Sequence, residues 1–195
     1  MIQLETVVIS ANKNETNRLE APIVVHVMTP KLFENTNSVC LAQGLSFQPG
    51  LRVETNCQNC GFQQVRINGL DGPYTQLLLD GKALFSSLNG VYGIEQIPTG
   101  MIERVEVMRG GGSALYGANA IGGTVNIITK EPLNNLFMIS HNLTAIGNSA
   151  YDNTTSLNTS LVNSQRDAGI YLFGTSRHRQ HYDHDGDHFS EIGKL

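Results

Sequence analysis

The sequence predicts an α+β domain built mainly from short strands, followed by the first strands of a longer antiparallel array. Three observations predict this. Apolar runs are short and broken by Gly, Asn, Ser and Pro, and there is no Trp among 195 residues, which favours strands and turns over long helices. Two strand-like runs, RVEVM (104–108) and TVNIIT (124–129), flank a nearly uncharged connection with six glycines between positions 110 and 123. A tight hairpin needs only about two turn residues. Beyond Pro132 the strand candidates lengthen to about ten residues and their alternation weakens.

Taken in order, residues 5–10 alternate weakly and read as a strand or an extended arm, and 12–20 are polar and turn-like. Pro22 leads into a β-rich run at 23–28. Pro30 suits the first turn of a helix, where its missing N–H would be unpaired anyway. Ser38 is a candidate N-cap for a helix over 39–47, with Val39, Ala42 and Leu45 on one face, and Pro49-Gly50 ends it. Strands are expected at 51–54, 64–68 and 76–80, the last closed by the turn signal Asp80-Gly81. Residues 86–93 read as a polar loop, 94–101 as one helical turn, 102–108 as a strand, 113–116 as another helical turn and 124–129 as a strand. Lys130-Glu131-Pro132 marks a boundary. Past it, 136–146 places Phe137, Ile139, Leu143 and Ala145 on one face, interrupted by His141. Gly147-Asn148-Ser149 turns the chain into strands at 151–163 and 170–176, themselves separated by a turn at 164–167. Such strands suit a transmembrane β-barrel or a soluble meander equally.

Composition narrows the function classes. The formal net charge is -4 and Lys and Arg form no stripe, so no nucleic acid partner is expected. No apolar run approaches the 18 or so residues of a membrane-spanning helix, and MIQLETVV lacks the basic and apolar regions of a signal peptide. The glycine-rich connection is not a nucleotide loop, because Gly110-x-Gly112 is not followed by Gly at 115 and no GxxxxGK occurs. Neither a nucleophile–His arrangement nor a carboxylate pair stands out, so no enzyme and no cofactor are expected. Cys40, in SVCLAQGL, reads as a small buried hydrophobe on a helix. NCQNC (56–60) offers only two of the four ligands zinc wants. His178, His181, His184 and His188, with Asp183, Asp185 and Asp187, carry donors suited to a transition metal. An EF-hand fails there, with His188 at position 6 and Lys194 at position 12 counted from Asp183. A solvated polar loop is the reading adopted for that segment, and no metal site is assigned.

Four motifs, in order, resemble the start of a TonB-dependent outer-membrane receptor. ETVVISA (5–11) resembles the Ton box, APIVV (21–25) the opening of the plug domain, and QVRING (64–69) with LLLDG (77–81) its paired central strands. IERVEVMRG (102–110), SALYG (113–117) and GGTVNIIT (122–129) resemble its closing signature. That last signature is long and specific, although Gly111 stands where the family commonly has Pro. NCQNC is similar to receptors of Bacteroides-like bacteria.

The resemblance implies an arm and linker over 1–19, a plug over 20–131, and the first strands of a truncated barrel over 132–195. The chain would then be a fragment, cut at both ends, of an active transporter in the outer membrane of a Gram-negative bacterium. That transporter would import a scarce nutrient such as a ferric siderophore, haem or cobalamin. TonB would pair by strand addition with Glu5, Thr6, Val7, Val8, Ile9, Ser10 and Ala11, and outer-membrane lipid would surround the barrel. Cys57, Cys60, Tyr74, Phe85 and Tyr92 would face the ligand. Cys57 and Cys60 would form a disulfide on the outer side, where such bonds persist. Arg66, Arg104 and Arg109 would hold the plug to barrel carboxylates, and the glycines would let plug turns approach the barrel wall. A soluble metal- or redox-active module using CxxC and the His-rich tail is the rival from another class.

Overall fold

The computed structural model describes residues 7–8, 16–17, 23–57, 62–84 and 93–194. In the N-terminal arm β1 (Val7–Val8) and β2 (Thr16–Asn17) pair antiparallel. β3 (Val25–Met28) runs into α1 (Pro30–Asn35), with Pro30 in the first helical turn as expected. α2 (Leu41–Leu45) follows, then the antiparallel pair β4 (Leu51–Cys57) and β5 (Phe62–Ile67). β6 (Thr75–Leu79), β7 (Lys82–Ala83), β8 (Ile102–Arg109), α3 (Ser113–Tyr116) and β9 (Gly123–Thr129) complete the N-terminal body.

Five strands form one mixed sheet in the order β3-β8-β9-β6-β7, with β8 antiparallel and β6 parallel to β9. Strand alternation divides it into two faces. Val105, Val107, Val125, Ile127 and Leu77 share one face and form a buried core with Phe33, Leu41, Leu45, Val65 and Ile67. Each such side chain contributes roughly 1.5–3 kcal/mol on burial, so the short helices are held by this face and not by their own propensity. The opposite face is also buried but mixed, carrying Glu106, Thr124, Asn126 and Gln76 beside Met108, Leu78 and Ile128. Arg104 Nε donates to Glu106 Oε1 at 2.9 Å, which compensates the buried carboxylate.

Three expectations need correction. The second helix is shorter than 39–47 and Ser38 does not cap it. Leu41 N donates to Ile97 O at 2.9 Å and Thr99 N to Val39 O at 3.2 Å, so residues 39–41 pair with 97–99 before the helix starts. Ser38 Oγ instead meets Thr36 Oγ1 at 2.7 Å, and Cys40 occupies the extended N-cap position, buried. The run 94–101 makes two 3-10 turns, Ile94–Gln96 and Thr99–Met101, in place of one helical turn. The runs 64–69 and 77–81 do not pair with each other. β5 belongs to a separate sheet with β4, and β6 lies between β9 and β7.

Two glycines of the connection serve close approach within the body itself. Gly123 has φ +139, and a Cβ there would lie 2.2 Å from Met108 O on the adjacent strand β8. A Cβ on Gly122 would lie 2.9 Å from Tyr74 O, the carbonyl that accepts the Gly122 N–H at 2.8 Å. These glycines pack backbone on backbone inside the sheet body.

After Pro132, β10 (Leu136–Ile146), β11 (Ala150–Val162) and β12 (Gly169–Arg179) form an open antiparallel sheet in sequence order. Register puts Phe137, Ile139, Leu143, Leu157, Leu161, Ile170 and Leu172 on one exposed face. Asp152, Thr154, Asn158 and Ser160 alternate to the other face and are at most 8% exposed, covered by the N-terminal body. β12 extends past the expected 170–176, so Arg177, His178 and Arg179 are strand residues, not loop residues.

Candidate functional site

The arm brings Val7 opposite Asn17 and Val8 opposite Thr16, so part of the segment expected to pair with a partner strand is paired with its own linker. Glu5, Thr6, Ile9, Ser10 and Ala11 lie outside the described residues.

Of the residues expected to face ligand, Cys60, Phe85 and Tyr92 also lie outside the described residues, and with Cys60 the expected bridge to Cys57. Cys57 ends β4 just past a register shift. Tyr74 is 44% exposed. Its backbone is fixed from both sides: its N–H donates to Asp71 O at 2.9 Å and its carbonyl accepts from Gly122 N at 2.8 Å.

The three arginines expected to reach barrel carboxylates find the partners the structure gives them inside the N-terminal body. Arg66 lies 2.6 Å from Glu54 Oε2 and 3.1 Å from Asp71 Oδ1. Arg104 pairs with Glu106 two residues along its own strand. Arg109 Nη2 donates to Pro49 O.

The ionic contact between body and strands has the opposite polarity. Glu95, in the turn Ile94–Gln96, accepts through Oε1 from Arg177 Nη1 at 3.3 Å and from Arg179 Nη1. Asp152 on β11 takes Arg177 Nε at 3.0 and 3.2 Å through its two oxygens. Arg177 Nη1 also lies 3.6 Å from Cys40 Sγ. Burial raises the Cys40 thiol above its ordinary 9.0, against smaller opposing effects from the Gln43 backbone and Arg177. Further along the seam, the Tyr171 hydroxyl donates to Gly100 O at 2.9 Å, and Asn158 packs on Gly100, where a Cβ would lie 2.7 Å from Asn158 Oδ1. A cleft of about 330 Å³ opens beside this contact, lined by Asn37, Ser38 and Lys130 on one side and Ser140 and Thr154 on the other.

Sequence reading missed Glu95, Asp152, Arg177 and Arg179. A signal was present: Arg177 and Arg179 continue the i, i+2 series Tyr171, Phe173, Thr175 on one face of β12. The His-rich run beyond them drew the expected strand end too early. In that run Asp183, Asp185, Asp187 and Glu191 bring carboxylates within 4.8 Å of one another. These groups serve their own loop: Asp183 accepts from Gly186 N at 2.7 Å and His188 N at 3.0 Å, and Glu191 accepts from His184 N at 2.6 Å.

A small mixed-sheet body seated on the polar face of antiparallel strands, with an apolar face on their far side, defines a plug held against a membrane-type strand wall. The family model "TonB-dependent Receptor Plug Domain" matches residues 17–124, and the chain belongs to that family. The "Vitamin B12 transporter BtuB" of Vibrio vulnificus is 35% identical over 127 residues, 65% of this chain and 21% of that protein. The siderophore receptor PirA from Acinetobacter baumannii matches in structure with a TM-score of 0.67 and 25% identity, over 84% of this chain and 26% of PirA. The structure of the FpvAI-pyocin S2 complex matches at a TM-score of 0.71 with 18% identity, over 90% of this chain and 23% of that one, a likeness of fold alone. The chain thus spans about a fifth to a quarter of the length of these relatives.

Proposed function

We propose that the chain is the arm, plug and first barrel strands of an outer-membrane, TonB-dependent importer of a scarce nutrient. Its parts would be the arm over 1–19, the plug over 20–131 and the strands over 132–195. The carrying observation is the plug body covering the polar face of β10–β12 while their other face stays apolar. A closed array of such strands is one of the two ways a chain can cross a bilayer. In this reading the cargo belongs to the ferric siderophore, haem or cobalamin class, and a cobalamin transporter and a siderophore receptor among the relatives support that range. Cys57, Cys60, Tyr74, Phe85 and Tyr92 would meet the cargo on the outer side. A Cys57–Cys60 disulfide would fix the apex of the β4–β5 loop and lower the ordering cost of binding. Residues 5–11 would recruit TonB by strand addition, a main-chain mode.

The test uses the receptor that carries this chain, in a Gram-negative host stripped of its own cobalamin, haem and siderophore receptors. Surface binding and energised uptake of each labelled nutrient are measured, with and without Val8→Pro. The expected result is one nutrient class bound and imported, with Val8→Pro abolishing uptake and sparing binding. Failure to bind any of the three classes would refute the assigned cargo. Uptake indifferent to Val8→Pro would refute the role of the arm.

A further inference from the structure

Among the described residues, two ion pairs cross between plug and strand wall, and both end on one carboxylate oxygen, Glu95 Oε1. Asp152 holds Arg177 from the neighbouring strand, so that pair is internal to the wall. All four side chains are at most 16% exposed. Arg179 has one more partner, the Gly193 carbonyl at 2.8 Å. Removing the charge of Glu95 therefore leaves two buried guanidinium groups facing one carboxylate.

The turn that carries Glu95 is fastened to the plug core on its other side. Cys40 bridges to Pro98, Leu41 N donates to Ile97 O at 2.9 Å, and Thr99 Oγ1 donates to Ser38 O at 3.0 Å. Glu95 is thus rigid with the plug and ionically bound to β12. Cys40 lies directly beneath this contact, 2% exposed, its sulfur against the Arg177 guanidinium.

We propose that Glu95 with Arg177 and Arg179 is a latch between plug and wall, shut at rest, that has to open before the plug moves along β11–β12, and that Cys40 is sealed while it is shut. The requirement for opening rests on the importer reading, whereas the latch itself is testable without ligand or TonB.

The experiment uses the whole receptor in outer-membrane vesicles, with Cys57→Ser and Cys60→Ser so that Cys40 is the thiol of this chain that a maleimide reads. Peptide mass spectrometry gives the rate. Glu95→Gln is expected to raise Cys40 labelling at least about tenfold, and Asp152→Asn less than about threefold, because its pair lies within the wall. Adding Arg179→Gln to Glu95→Gln removes the orphaned charge and should restore most of the protection, which mere loss of packing would not do. A Glu95→Gln rate within twofold of the parent, or an equal rise in Asp152→Asn, overturns the latch. Should Glu95→Gln not be recovered folded, Arg179→Met must raise labelling, and no rise overturns it equally.

For the opening step, Glu95→Cys and Arg179→Cys are joined by a short photocleavable thiol cross-linker in a Cys40→Ser receptor that keeps Cys57 and Cys60, with the 95–179 bridge verified by peptide mass spectrometry. Uptake should stop when bridged, return on cleavage, and surface binding should persist throughout. Unimpaired uptake in the bridged state overturns the latch's role. Loss of binding and uptake in the cleaved state as well would instead strike the importer reading.

Discussion

Replacing Gly123 by Ala tests whether the glycine-rich connection exists for backbone packing inside the plug. The added methyl would lie 2.2 Å from Met108 O, 3.0 Å from Ile67 Cδ1 and 3.2 Å from Arg109 Cα. Relaxed contacts between such atoms sit near about 3.5 Å, so the Met108 carbonyl must retreat by about 1 Å. That carbonyl belongs to a central strand, where Met108 faces Thr124 and Arg109 faces Gly123, so retreat disturbs the β8–β9 ladder. Holding Ala at φ +139 adds strain of about 1–3 kcal/mol. Overpacking adds about 1–3 kcal/mol more, for a total near 4 kcal/mol. Gly117→Ala is the control. Its φ is +91 and ψ -177 but nothing lies within 4 Å, so only the backbone term applies, about 1–3 kcal/mol. Urea titration of the detergent-solubilised chain, followed by circular dichroism, measures both. With a slope of about 1–3 kcal/mol per molar, Gly123→Ala should lower the midpoint by more than about 1 M, and by at least twice the shift of Gly117→Ala. Equal shifts would refute the packing argument and leave only a demand for positive φ.

Three further outcomes are expected. Asp80 accepts from Thr129 N and Thr129 Oγ1, both at 2.9 Å, across the end of the parallel pair; Asp80→Ala should cost about 2 kcal/mol and Asp80→Asn less than half of that in the same urea titration. Burial favours the neutral Cys40 thiol, so its contribution is intact below the unfolded value near 9.0 and is lost as pH rises through the higher folded value; stability measured from neutral pH upward should fall beyond 9.0, and Cys40→Ala should flatten that fall. Leu157 lies on the apolar outer face, so Leu157→Arg should destabilise the membrane-inserted receptor by about 2–4 kcal/mol if it sits near the bilayer midplane, while Ser156→Ala on the inner face should be nearly neutral in a lipid-vesicle unfolding assay.

Local chemistry made much of the fold legible. Pro30 opens a helix, Asp80 and Gly81 both take positive φ at the β6–β7 turn, and period-2 patterns mark β8, β9 and β10. Pairing was less legible, because it depends on contacts far apart in sequence. Nothing in LLLDG says that its strand joins β9 in parallel and not β5. The second helix was overextended for the same reason, since the competing partner of residues 39–41 is the distant run 97–99. For the site, residue types were informative and partnerships were not. Arg66, Arg104 and Arg109 were expected to meet barrel carboxylates; within this chain they meet Glu54, Asp71, Glu106 and the Pro49 carbonyl, contacts that, apart from Arg104–Glu106 on one strand, join segments that the sequence does not pair by itself.

The seam and the plug core differ in what separation would expose, and this orders the events that a pull can cause. Parting the plug from β10–β12 exposes Thr154, Asn158, Ser160, the Tyr171 hydroxyl and the charges around Glu95. Water replaces the partners of most of these groups, so each hydrogen bond contributes only about 0.5–1.5 kcal/mol net. Parting the plug's own layers exposes Leu41, Leu45, Ile67, Leu77, Val107 and Ile127, for which water offers no substitute. At roughly 1.5–3 kcal/mol for each such side chain, these six residues alone outweigh the neutral hydrogen bonds of the seam. The buried charges are the exception at the seam until water reaches them, since a guanidinium or carboxylate that loses its partner while still buried costs about 3–5 kcal/mol. Resistance to sliding is therefore concentrated at Glu95, Arg177 and Arg179, while the rest of the contact can exchange partners with water step by step. Under load, the plug should shift as a body once those charges part, before its sheet is disrupted.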